Sequence, residues 1–481
     1  MAFALYLQNL SVAYKEQSAP IINGLDLQAC SGDRIGIEGN NGAGKSTLAH
    51  AIVGLIPEIT PGRVDGHAWI DSKDLLRSDL SERLGSVGYS FQDTESQILF
   101  GTVADVLGLS ERETDRELME IAISDLRSEH LLNRTPDELS GGEAQRIALA
   151  TALRRNPKLV IYDEASSALD PHARRDFKLL TEHLMARGHI LILLGQRREI
   201  LGPYCDSVVS LQDGKLIQTP IRRTADLKKV EKFWLAASQL FPDFIRVPEL
   251  RLEKIAFARQ GKTSFKLGPV DLSLQQGETV ALLGPNGSGK TTLFLLLLGA
   301  LKPRSGHFWL GDRKYRAAVS NPWPRTIAMV SQSPLEQIIS GTVGQELGLL
   351  PPLTGESRHL AGEILDHFPY LQLERDPLQL SHGQQRMLGM VTCFLSQHPL
   401  LILDEPEQGL DATSLKYIEA WLKINAQTRR RTVLFSTHDL EFAAKMATRC
   451  LLMVKGQIVA ETSTRDVEEL ERWYFSHTQV N

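Results

Sequence analysis

The chain has 481 residues, of which 42% are hydrophobic and 23% charged, a balance typical of globular proteins with an apolar core. The formal net charge of −5 at pH 7 provides no overall positive field for non-specific nucleic-acid binding, so we expect no nucleic-acid partner. The four cysteines show no CxxC spacing, which argues against a disulfide framework and favours a reducing compartment. The longest apolar run, residues 293–301, is shorter than the ~20 residues of a membrane-spanning helix and predicts a buried helix.

The first half of the chain is repeated in the second half. GNNGAGKST at residues 39–47 recurs as GPNGSGKTT at residues 284–292. LSGGE and LVIYDEASSALD recur, in the same order and at nearly the same separation, as LSHGQ and LLILDEPEQGLD. Such a repeat predicts two homologous domains, one after the other. We place the first at residues 1–222, a packed helical connector at 223–247 and the second at 248–481.

A glycine-rich loop follows an apolar strand pattern in each half and precedes a helical pattern, matching G-x-x-x-x-G-K-[ST]. Glycines let successive backbone N–H groups turn toward phosphates, and the helix N-terminus adds positive potential. Lys45 and Lys290 are predicted to meet the β- and γ-phosphates of ATP, and Ser46 and Thr291 to ligate Mg²⁺. The predicted nucleotide-binding residues of the two loops are Gly39, Asn40, Asn41, Gly42, Ala43, Gly44, Lys45, Ser46, Thr47, Gly284, Pro285, Asn286, Gly287, Ser288, Gly289, Lys290, Thr291 and Thr292.

Each half also contains an apolar strand that ends in Asp-Glu. LVIY precedes Asp163 and Glu164, and LLIL precedes Asp404 and Glu405. Continuous apolar runs of this kind are typical of buried parallel strands. At the end of such a strand we expect the aspartate to hold the Mg²⁺ shell. We expect the glutamate to orient or deprotonate the attacking water.

LSGGEAQR at residues 139–146 resembles the signature of the ABC ATPases, and the motif order matches that family over nearly the whole chain. The resemblance implies two α/β domains, each with a mixed sheet around a parallel core, a β-rich edge and a helical signature arm near residues 102–139 or 342–380. In that family two such domains enclose two ATP molecules, and each site joins the glycine loop of one domain to the signature of the other. One chain would then form both sites, so no obligatory self-dimer is expected.

The resemblance assigns further roles by position. Gln92 and Gln332 match the glutamine loop, which senses the γ-phosphate and Mg²⁺ and contacts transport partners. Tyr14 matches the aromatic residue that stacks on adenine, and in the second half either Arg259 or Phe257 could take that place. The signature residues that would close over the nucleotide of the opposite half are Ser140, Gly141, Gly142, Ser381, His382 and Gly383.

The two predicted sites differ in composition. His438 stands where the family has its switch histidine, whereas the first half has Gln196 there. The second signature has His382 in place of the first glycine. Both departures fall on the site that joins the first glycine loop to the second signature. We hypothesise that this site hydrolyses ATP slowly or mainly holds it; the alternative is that Gln196 still donates a hydrogen bond and His382 is tolerated.

The glutamine loops favour a transport role, because both show a "Q-x4-Q … TV" pattern similar to that of energy-coupling-factor ATPases. The first half departs from that pattern with Val106, where an acid is usual, whereas the second half has Glu346. In that family the ATPases lie at the cytoplasmic face of the cell membrane. They work with a membrane scaffold subunit and a small substrate-capturing membrane protein to import vitamins or metal ions. The alternative is a soluble tandem ABC ATPase that acts on a partner such as the ribosome.

Overall fold

The structure, a computed structural model, describes residues 4–15, 19–91, 101–109, 111, 114–139, 141–164, 169–217, 230–235, 249–259, 265–315, 326–333, 337–348, 355–396, 398–428 and 431–478. The chain divides into two compact units, Met1–Arg222 and Arg223–Asn481. Within the described ranges, no helix combines the length and the apolar character needed to cross a bilayer. The apolar run at residues 293–301 begins inside the helix Lys290–Leu297, whose Leu293 and Phe294 are buried, as predicted.

The first unit contains two sheets. Its strands are β1 (Leu5–Tyr14), β2 (Ile22–Ala29), β3 (Arg34–Glu38), β4 (Gly62–Ile70), β5 (Lys73–Asp74), β6 (Val87–Ser90), β7 (Leu159–Asp163), β8 (Ile190–Gly195), β9 (Ser207–Gln212) and β10 (Lys215–Ile217). An antiparallel sheet has the order β2-β1-β4-β5, and the core sheet has the order β10-β9-β3-β8-β7-β6. All neighbours in the core sheet are parallel except β10 and β9.

The second unit repeats this topology strand for strand. Its strands are β11 (Glu249–Arg259), β12 (Phe265–Gln275), β13 (Thr279–Leu283), β14 (Ser305–Leu310), β15 (Arg313–Tyr315), β16 (Ile327–Val330), β17 (Leu400–Asp404), β18 (Thr432–Ser436), β19 (Arg449–Val454) and β20 (Gln457–Thr462). The antiparallel sheet has the order β12-β11-β14-β15, and the core sheet has the order β16-β17-β18-β13-β19-β20. The predicted fold, a mixed sheet around a parallel core with a β-rich edge, is confirmed in both units.

Helices flank these sheets. In the first unit the described helices are Lys45–Val53, Leu55–Glu58, Leu80–Ser86, Val103–Val106, Arg116–Asp125, Gly141–Thr151, Pro171–Ala186 and Arg198–Leu201. In the second unit they are Lys290–Leu297, Val343–Glu346, Gly355–His367, His382–Leu395, Ala412–Thr428, Leu440–Met446 and Val467–Thr478. Side-chain caps start several of them: Asp115 accepts a hydrogen bond from Leu118 N, and Asp170 accepts one from Ala173 N. The helical arm that leads to each signature is therefore present.

The strand order gathers the motifs at one edge of each core sheet. β8 lies between β3 and β7, and β6 lies on the far side of β7. Because the carboxyl ends of parallel strands meet at one edge, the segments that follow β7, β8 and β3 converge there: the Asp-Glu pair, the switch position and the glycine loop. In the second unit the start of the glutamine loop, which follows β16, lies at the same edge. β7 and β17 are buried along their whole length, as expected of central parallel strands.

The described part of the connector, residues 230–235, is helical and packs on the second unit. Trp234 Nε1 donates a hydrogen bond to the carbonyl oxygen of Tyr417 at 2.9 Å. Leu235 is 46% exposed, whereas Phe233 is buried. Val230, Phe233 and Trp234 form the i, i+3, i+4 stripe that faces the core, and Leu235 falls outside it.

Candidate functional site

The glycine-rich loops fold around the lysine that follows them. Lys45 is the first residue of the helix Lys45–Val53, and its Nζ donates hydrogen bonds to the carbonyl oxygens of Gly39 at 2.7 Å and Asn40 at 3.2 Å. Lys290 makes the same pair of contacts in the second unit, at 2.8 and 3.2 Å. Each ammonium group is therefore held over its own loop, at the positive end of a helix. This arrangement suits a phosphate chain.

The last glycine of each loop cannot carry a side chain. Gly44 has φ 98°, and a Cβ there would lie 2.8 Å from Ile21 and 2.9 Å from Ile22. Gly289 has φ 107°, and its Cβ would lie 2.8 Å from the ring of Phe265. A substitution would meet both the strain of a left-handed backbone and a clash. The loop thus has room for backbone alone beside Ile21 and Ile22 in the first unit and beside Phe265 in the second.

A hydroxyl and a carboxylate converge beside each lysine. Thr291 Oγ1 donates a hydrogen bond to Asp404 Oδ2 at 2.8 Å, and Ser46 bonds Asp163 in the same way. Burial raises the pKa of both aspartates, and these hydrogen bonds oppose that rise. Asp163 Oδ1 is buried and lacks a hydrogen-bond partner in the part of the chain that the structure describes. The all-oxygen donor set, with a spare carboxylate oxygen, fits Mg²⁺.

No group of three or more His, Cys, Asp and Glu side chains among the described residues could hold a metal by itself. This composition agrees with a Mg²⁺ site, because Mg²⁺ commonly takes one or two protein oxygens and completes its shell with phosphates and water. Of the described residues predicted to supply such a shell, Ser46 bonds Asp163 and Thr291 bonds Asp404, and Gln332 lies beside Glu405.

Glu405 is surrounded by polar and charged groups in the second unit. His438 Nε2 lies 2.5 Å from Glu405 Oε1, although neither ring nitrogen of His438 has a partner with hydrogen-bond geometry among the described residues. Gln332 Nε2 donates a hydrogen bond to Glu405 Oε2 at 3.2 Å. Burial raises the pKa of Glu405, but His438, Lys290 and Arg386 outweigh burial and lower it to about 2. The carboxylate is therefore ionised at neutral pH and can accept a hydrogen bond from water.

The first unit holds its glutamate with an amide. Gln196 Nε2 donates a hydrogen bond to Glu164 Oε1 at 2.7 Å, so a group that cannot be protonated takes the position of His438. Both glutamates have left-handed backbones, with φ 56° at Glu164 and 51° at Glu405. Strain of this kind in a residue other than glycine clusters at functional sites.

Two predicted residues of the first half, Gln92 and Ser140, lie outside the described residues. The signature glycines that follow Ser140 are described. Gly141 and Gly142 open the helix Gly141–Thr151, as the predicted signature arm requires.

The second signature also opens a helix. Ser381 Oγ accepts a hydrogen bond from Gln384 N, and the Gln384 side chain accepts one from Ser381 N, which together cap His382–Leu395. His382 is exposed, and Gly383 is buried. The histidine that replaces a signature glycine is therefore compatible with the helix start.

The predicted adenine-stacking residue of the first half, Tyr14, lies beside the glycine loop. Its hydroxyl is 3.2 Å from Thr47 Oγ1, a hydrogen-bond distance. In the second half, Phe257 is half-buried and packs against the core between the two sheets. The side chain of Arg259 is outside the described part of the structure.

A buried arginine of the second site was missed in the sequence. Arg386 is 1% exposed; its guanidinium donates to the carbonyl oxygens of Gln332 at 2.8 Å and Asp404 at 2.9 Å, and also to that of Glu405. It stands where the first half has Gln145. The available signal was a charged residue inside an otherwise apolar helix face. Arg386 links the signature helix to both the glutamine loop and the Asp-Glu pair.

Partners of the two aspartates were also missed, and they differ between the halves. Ser436 donates a hydrogen bond to Asp404 and accepts one from Glu405 N at 2.9 Å. In the first unit, the Tyr89 hydroxyl donates to Asp163 Oδ2 at 3.2 Å. These residues precede the motifs or lie on neighbouring strands, so no motif spacing identifies them.

A second buried carboxyl group lies close to Glu405. Glu407 is 5% exposed and accepts a hydrogen bond from the Thr437 hydroxyl, while its Oε2 has no hydrogen-bond partner among the described residues. Burial is the main cause that raises its pKa from an ordinary 4.5 to about 7, and the nearby Asp439 adds to the rise.

We expect Glu407→Gln to change how stability depends on pH. The pKa of Glu407 is raised in the folded state. Its contribution to the free energy of unfolding is therefore fully present below about pH 4.5 and is lost as pH rises through about 7. Glutamine does not titrate, so the variant's free energy of unfolding relative to the unaltered protein should rise by on the order of 2–3 kcal/mol between pH 5 and pH 8. Thermal melts at the two pH values measure this shift. The exposed Glu471→Gln is the control, and an equal offset at both pH values would contradict the prediction.

The chain matches known proteins over both units. The family model described as "ABC transporter" matches residues 22–167 and 267–408, which include both glycine loops and both Asp-Glu pairs. YkoD of Bacillus subtilis, named provisionally as an HMP/thiamine import ATP-binding protein, is 30% identical over 93% of this chain and 89% of its own length. A Methanosarcina acetivorans protein, named provisionally as an ABC transporter ATP-binding protein, is 29% identical over 95% of this chain and 90% of its own length.

Solved structures show the same fold. The archaeal ribosome recycling factor aABCE1, solved in complex with the ribosomal stalk protein aP1, has a TM-score of 0.67 at 20% identity, covering 97% of this chain and 92% of that one. A structure named RNase-L Inhibitor has a TM-score of 0.66 at the same identity and coverage. At this identity the likeness concerns fold alone. Gln196 and His438 both lie outside the stretches that the family model matches.

Proposed function

Since this chain belongs to the ABC transporter family, as an ATPase with two fused domains, we propose that its ATP hydrolysis drives transport through membrane partners. The proposed system is an importer of the energy-coupling-factor type, and its cargo is a micronutrient, either a vitamin or a metal ion. The partners are an integral membrane scaffold subunit and a substrate-capturing membrane subunit. The chain would lie at the cytoplasmic face of the cell membrane, held there by these partners. The provisional name of YkoD, which specifies import, supports this choice.

The residues of the second unit suit ATP hydrolysis. Mg²⁺ bound with the nucleotide would neutralise part of the phosphate charge. Lys290 is held over its loop for the phosphates, and Thr291 and Asp404 offer a hydroxyl and a carboxylate for the metal. Glu405, ionised at neutral pH, orients the attacking water through its carboxylate. Glu405 is only 6% exposed, so bulk water has little access to that carboxylate.

The turn after the second glutamine loop is the observation that carries the transport proposal. Ile339 is 90% exposed, which is unusual for a large apolar side chain. The turn is nevertheless ordered, because Glu346 Oε2 accepts hydrogen bonds from Ile339 N at 3.3 Å and Ser340 N at 3.1 Å. Leu378 is 65% exposed, and its segment is joined to the turn by the hydrogen bond from Val343 N to the carbonyl oxygen of Arg375 at 2.9 Å. An ordered backbone that presents an apolar side chain suits docking of an apolar partner.

Glu346, which holds this turn, has no acidic counterpart in the first half. Val106 stands where the second half has Glu346, and a valine cannot accept hydrogen bonds from the turn. In the first unit, Asp105 instead accepts hydrogen bonds from the backbone and side chain of Thr102. We therefore propose that the turn around Ile339 makes the stronger membrane contact.

Affinity capture from detergent-solubilised native membranes, followed by mass spectrometry, tests the proposal. The unaltered chain should recover a multi-helix scaffold protein together with a small, very hydrophobic companion. Ile339→Asp should lose both while it keeps its basal ATPase activity, because a charge at the centre of an apolar contact is costly to bury. Val459→Asp, at an apolar residue that is 46% exposed on another surface of the same unit, is the matched control and should retain both.

Two outcomes would contradict the proposal in different ways. Equal recovery by Ile339→Asp and the unaltered chain would remove the turn as the docking surface. Recovery of ribosomal or other soluble partners alone, with ATPase activity intact, would favour the second candidate, a soluble ATPase that acts on a macromolecular assembly. The likeness to the ribosome recycling factor is one of fold, so it does not by itself favour that candidate.

A further inference from the structure

We propose that Glu407 is a positioning residue of the second ATPase site: through Thr437 it fixes the loop that places His438 beside Glu405. The inference rests on the ATPase activity of the chain and on the proposed role of His438, and it is independent of any membrane partner. Glu407 lies within the repeated segment LLILDEPEQGLD, but the sequence alone assigns no role to it or to Thr437.

The contacts of Thr437 tie Glu407 to the loop backbone. Thr437 is fully buried, and its hydroxyl donates to Glu407 Oε1 while its oxygen accepts a hydrogen bond from Asp439 N at 2.9 Å. A threonine hydroxyl can donate one hydrogen bond, and here Glu407 accepts it. The same oxygen holds the backbone on the far side of His438. One hydroxyl therefore fixes both flanks of His438 to the carboxyl group of Glu407.

Glu407 is itself fixed to the Glu405 backbone by a short turn. Gln408 N donates a hydrogen bond to the carbonyl oxygen of Glu405 at 3.1 Å. Gln332 Nε2 bridges Glu405 Oε2 and Gln408 Oε1, both at 3.2 Å. The segment 405–408 thus meets the loop 437–439 at two points: Glu405 contacts His438, and Glu407 contacts Thr437. A single contact would allow the loop to rotate about it, whereas two contacts side by side restrict that rotation.

Burying a carboxyl group costs free energy that burying an apolar side chain does not. The Glu407 Oε2 atom has no hydrogen-bond partner among the described residues, and the carboxylates of Asp439 and Glu405 face the group, with the Arg386 guanidinium the nearby opposing charge. The raised pKa of Glu407 reflects this cost. An apolar residue would fill the space without this cost. The Glu407 carboxyl group is therefore better explained by its hydrogen bond with Thr437 than by packing.

The first half lacks this pair together with the histidine. Where the second half has Glu407, Thr437 and His438, the first half has Ser166, Gly195 and Gln196. Glycine has no hydroxyl to donate, so the contact cannot form there. Within one chain, the Glu-Thr pair is present in the half that has the switch histidine and absent from the half that lacks it.

Steady-state kinetics of the full-length chain test the role. Glu407→Ala and Thr437→Val should each lower kcat about tenfold, since small errors in position at a reacting group are costly, and should leave the KM for ATP within about twofold. Glu407→Gln should keep kcat within about threefold, because its amide oxygen can still accept the Thr437 proton. Equal losses of kcat in the Gln and Ala variants would overturn the proposal.

A second comparison separates positioning from stability. In a His438→Ala background, adding Glu407→Ala should change kcat by less than about twofold, because Glu407 acts through His438. Effects that multiply would overturn the proposal. Asn425→Ala removes another buried side chain that holds a loop, through Arg431, and should lower the melting temperature without lowering kcat. Loss of membrane capture would overturn the transport proposal and would leave these kinetic results unaffected.

Discussion

Glu405→Gln is expected to lower steady-state ATP turnover about 100-fold or more, whereas Glu164→Gln should lower it less than about threefold. Glu405 lies beside His438, and the surrounding positive groups keep its carboxylate ionised. Glu164 accepts a hydrogen bond from the neutral amide of Gln196. An imidazole can carry a positive charge or transfer a proton, and an amide can do neither at neutral pH.

We expect this difference because of the two composite sites that the sequence resemblance predicts. Each site there joins one domain's glycine loop to the other domain's signature, so the Lys290 site would receive LSGGE and the Lys45 site would receive LSHGQ. The site with Glu405 and His438 would then be complete. The site with Glu164 would carry both substitutions. Loss of a single preorganised contact in a transition state costs roughly 10²–10³ in rate, which is enough for one site to dominate turnover.

Turnover of the purified full-length variants, measured as phosphate release at saturating ATP, checks this prediction. Glutamine keeps the size of the glutamate side chain and removes its charge. A loss of turnover in either variant therefore reports the loss of the carboxylate and not a change in packing. A further variant, Gln196→His in a Glu405→Gln background, should raise the residual turnover if Gln196 limits the first site. Comparable losses of ATP turnover in Glu164→Gln and Glu405→Gln would contradict the expected difference between the two sites.

The sequence was sufficient to predict the architecture and to locate the glycine loops within it, for a physical reason. The loop conformation needs glycine at positions such as Gly44 and Gly289, where φ is positive and a Cβ would clash with neighbouring side chains. Residues fixed by such a constraint can be recognised in isolation. The buried strands β7 and β17 are continuous apolar runs, and their length and composition predict them without knowledge of their neighbours.

The supporting contacts could not be predicted in the same way. Ser436 reaches Asp404 because β18 lies next to β17 in the sheet, although the two residues are far apart in the chain. The left-handed backbone of Glu405 follows from packing at the strand end and has no composition signal. Glu407 would ordinarily be interpreted as a solvated surface residue, and only the fold shows that it is buried. These contacts depend on pairing between distant segments.

The largest expected loss of stability is at Arg386. Its guanidinium reaches three main-chain carbonyl oxygens from inside the second unit: those of Gln332, Asp404 and Glu405. Burial lowers the pKa of Arg386, and the nearby carboxylates, Glu407 first among them, oppose this. Arginine stays charged in such settings, and its planar fork can serve several acceptors at once. Removing it leaves buried carbonyl groups without donors.

We therefore expect Arg386→Leu to lower the free energy of unfolding by about 3–5 kcal/mol, since each buried group left unpaired costs about 1–3 kcal/mol. For a unit of this size the melting temperature should fall by roughly 6–20 °C. ATP turnover should also be lost at temperatures where the variant is still folded, because the same contacts join the glutamine loop to the Asp-Glu pair. Differential scanning calorimetry and a phosphate-release assay measure the two effects separately.

Two further variants make this test specific to the buried contacts. Arg472 is an exposed arginine that donates to the carbonyl oxygen of Glu468 at 3.3 Å, and Arg472→Leu should change stability by less than about 0.5 kcal/mol. Arg386→Gln introduces the residue that the first half carries at this position, Gln145. An amide has two donors and a shorter reach, so we expect it to recover only part of the stability and little of the turnover. Full turnover in Arg386→Gln would mean that filling the space is enough, and that the link between the signature helix and Glu405 is not needed for hydrolysis.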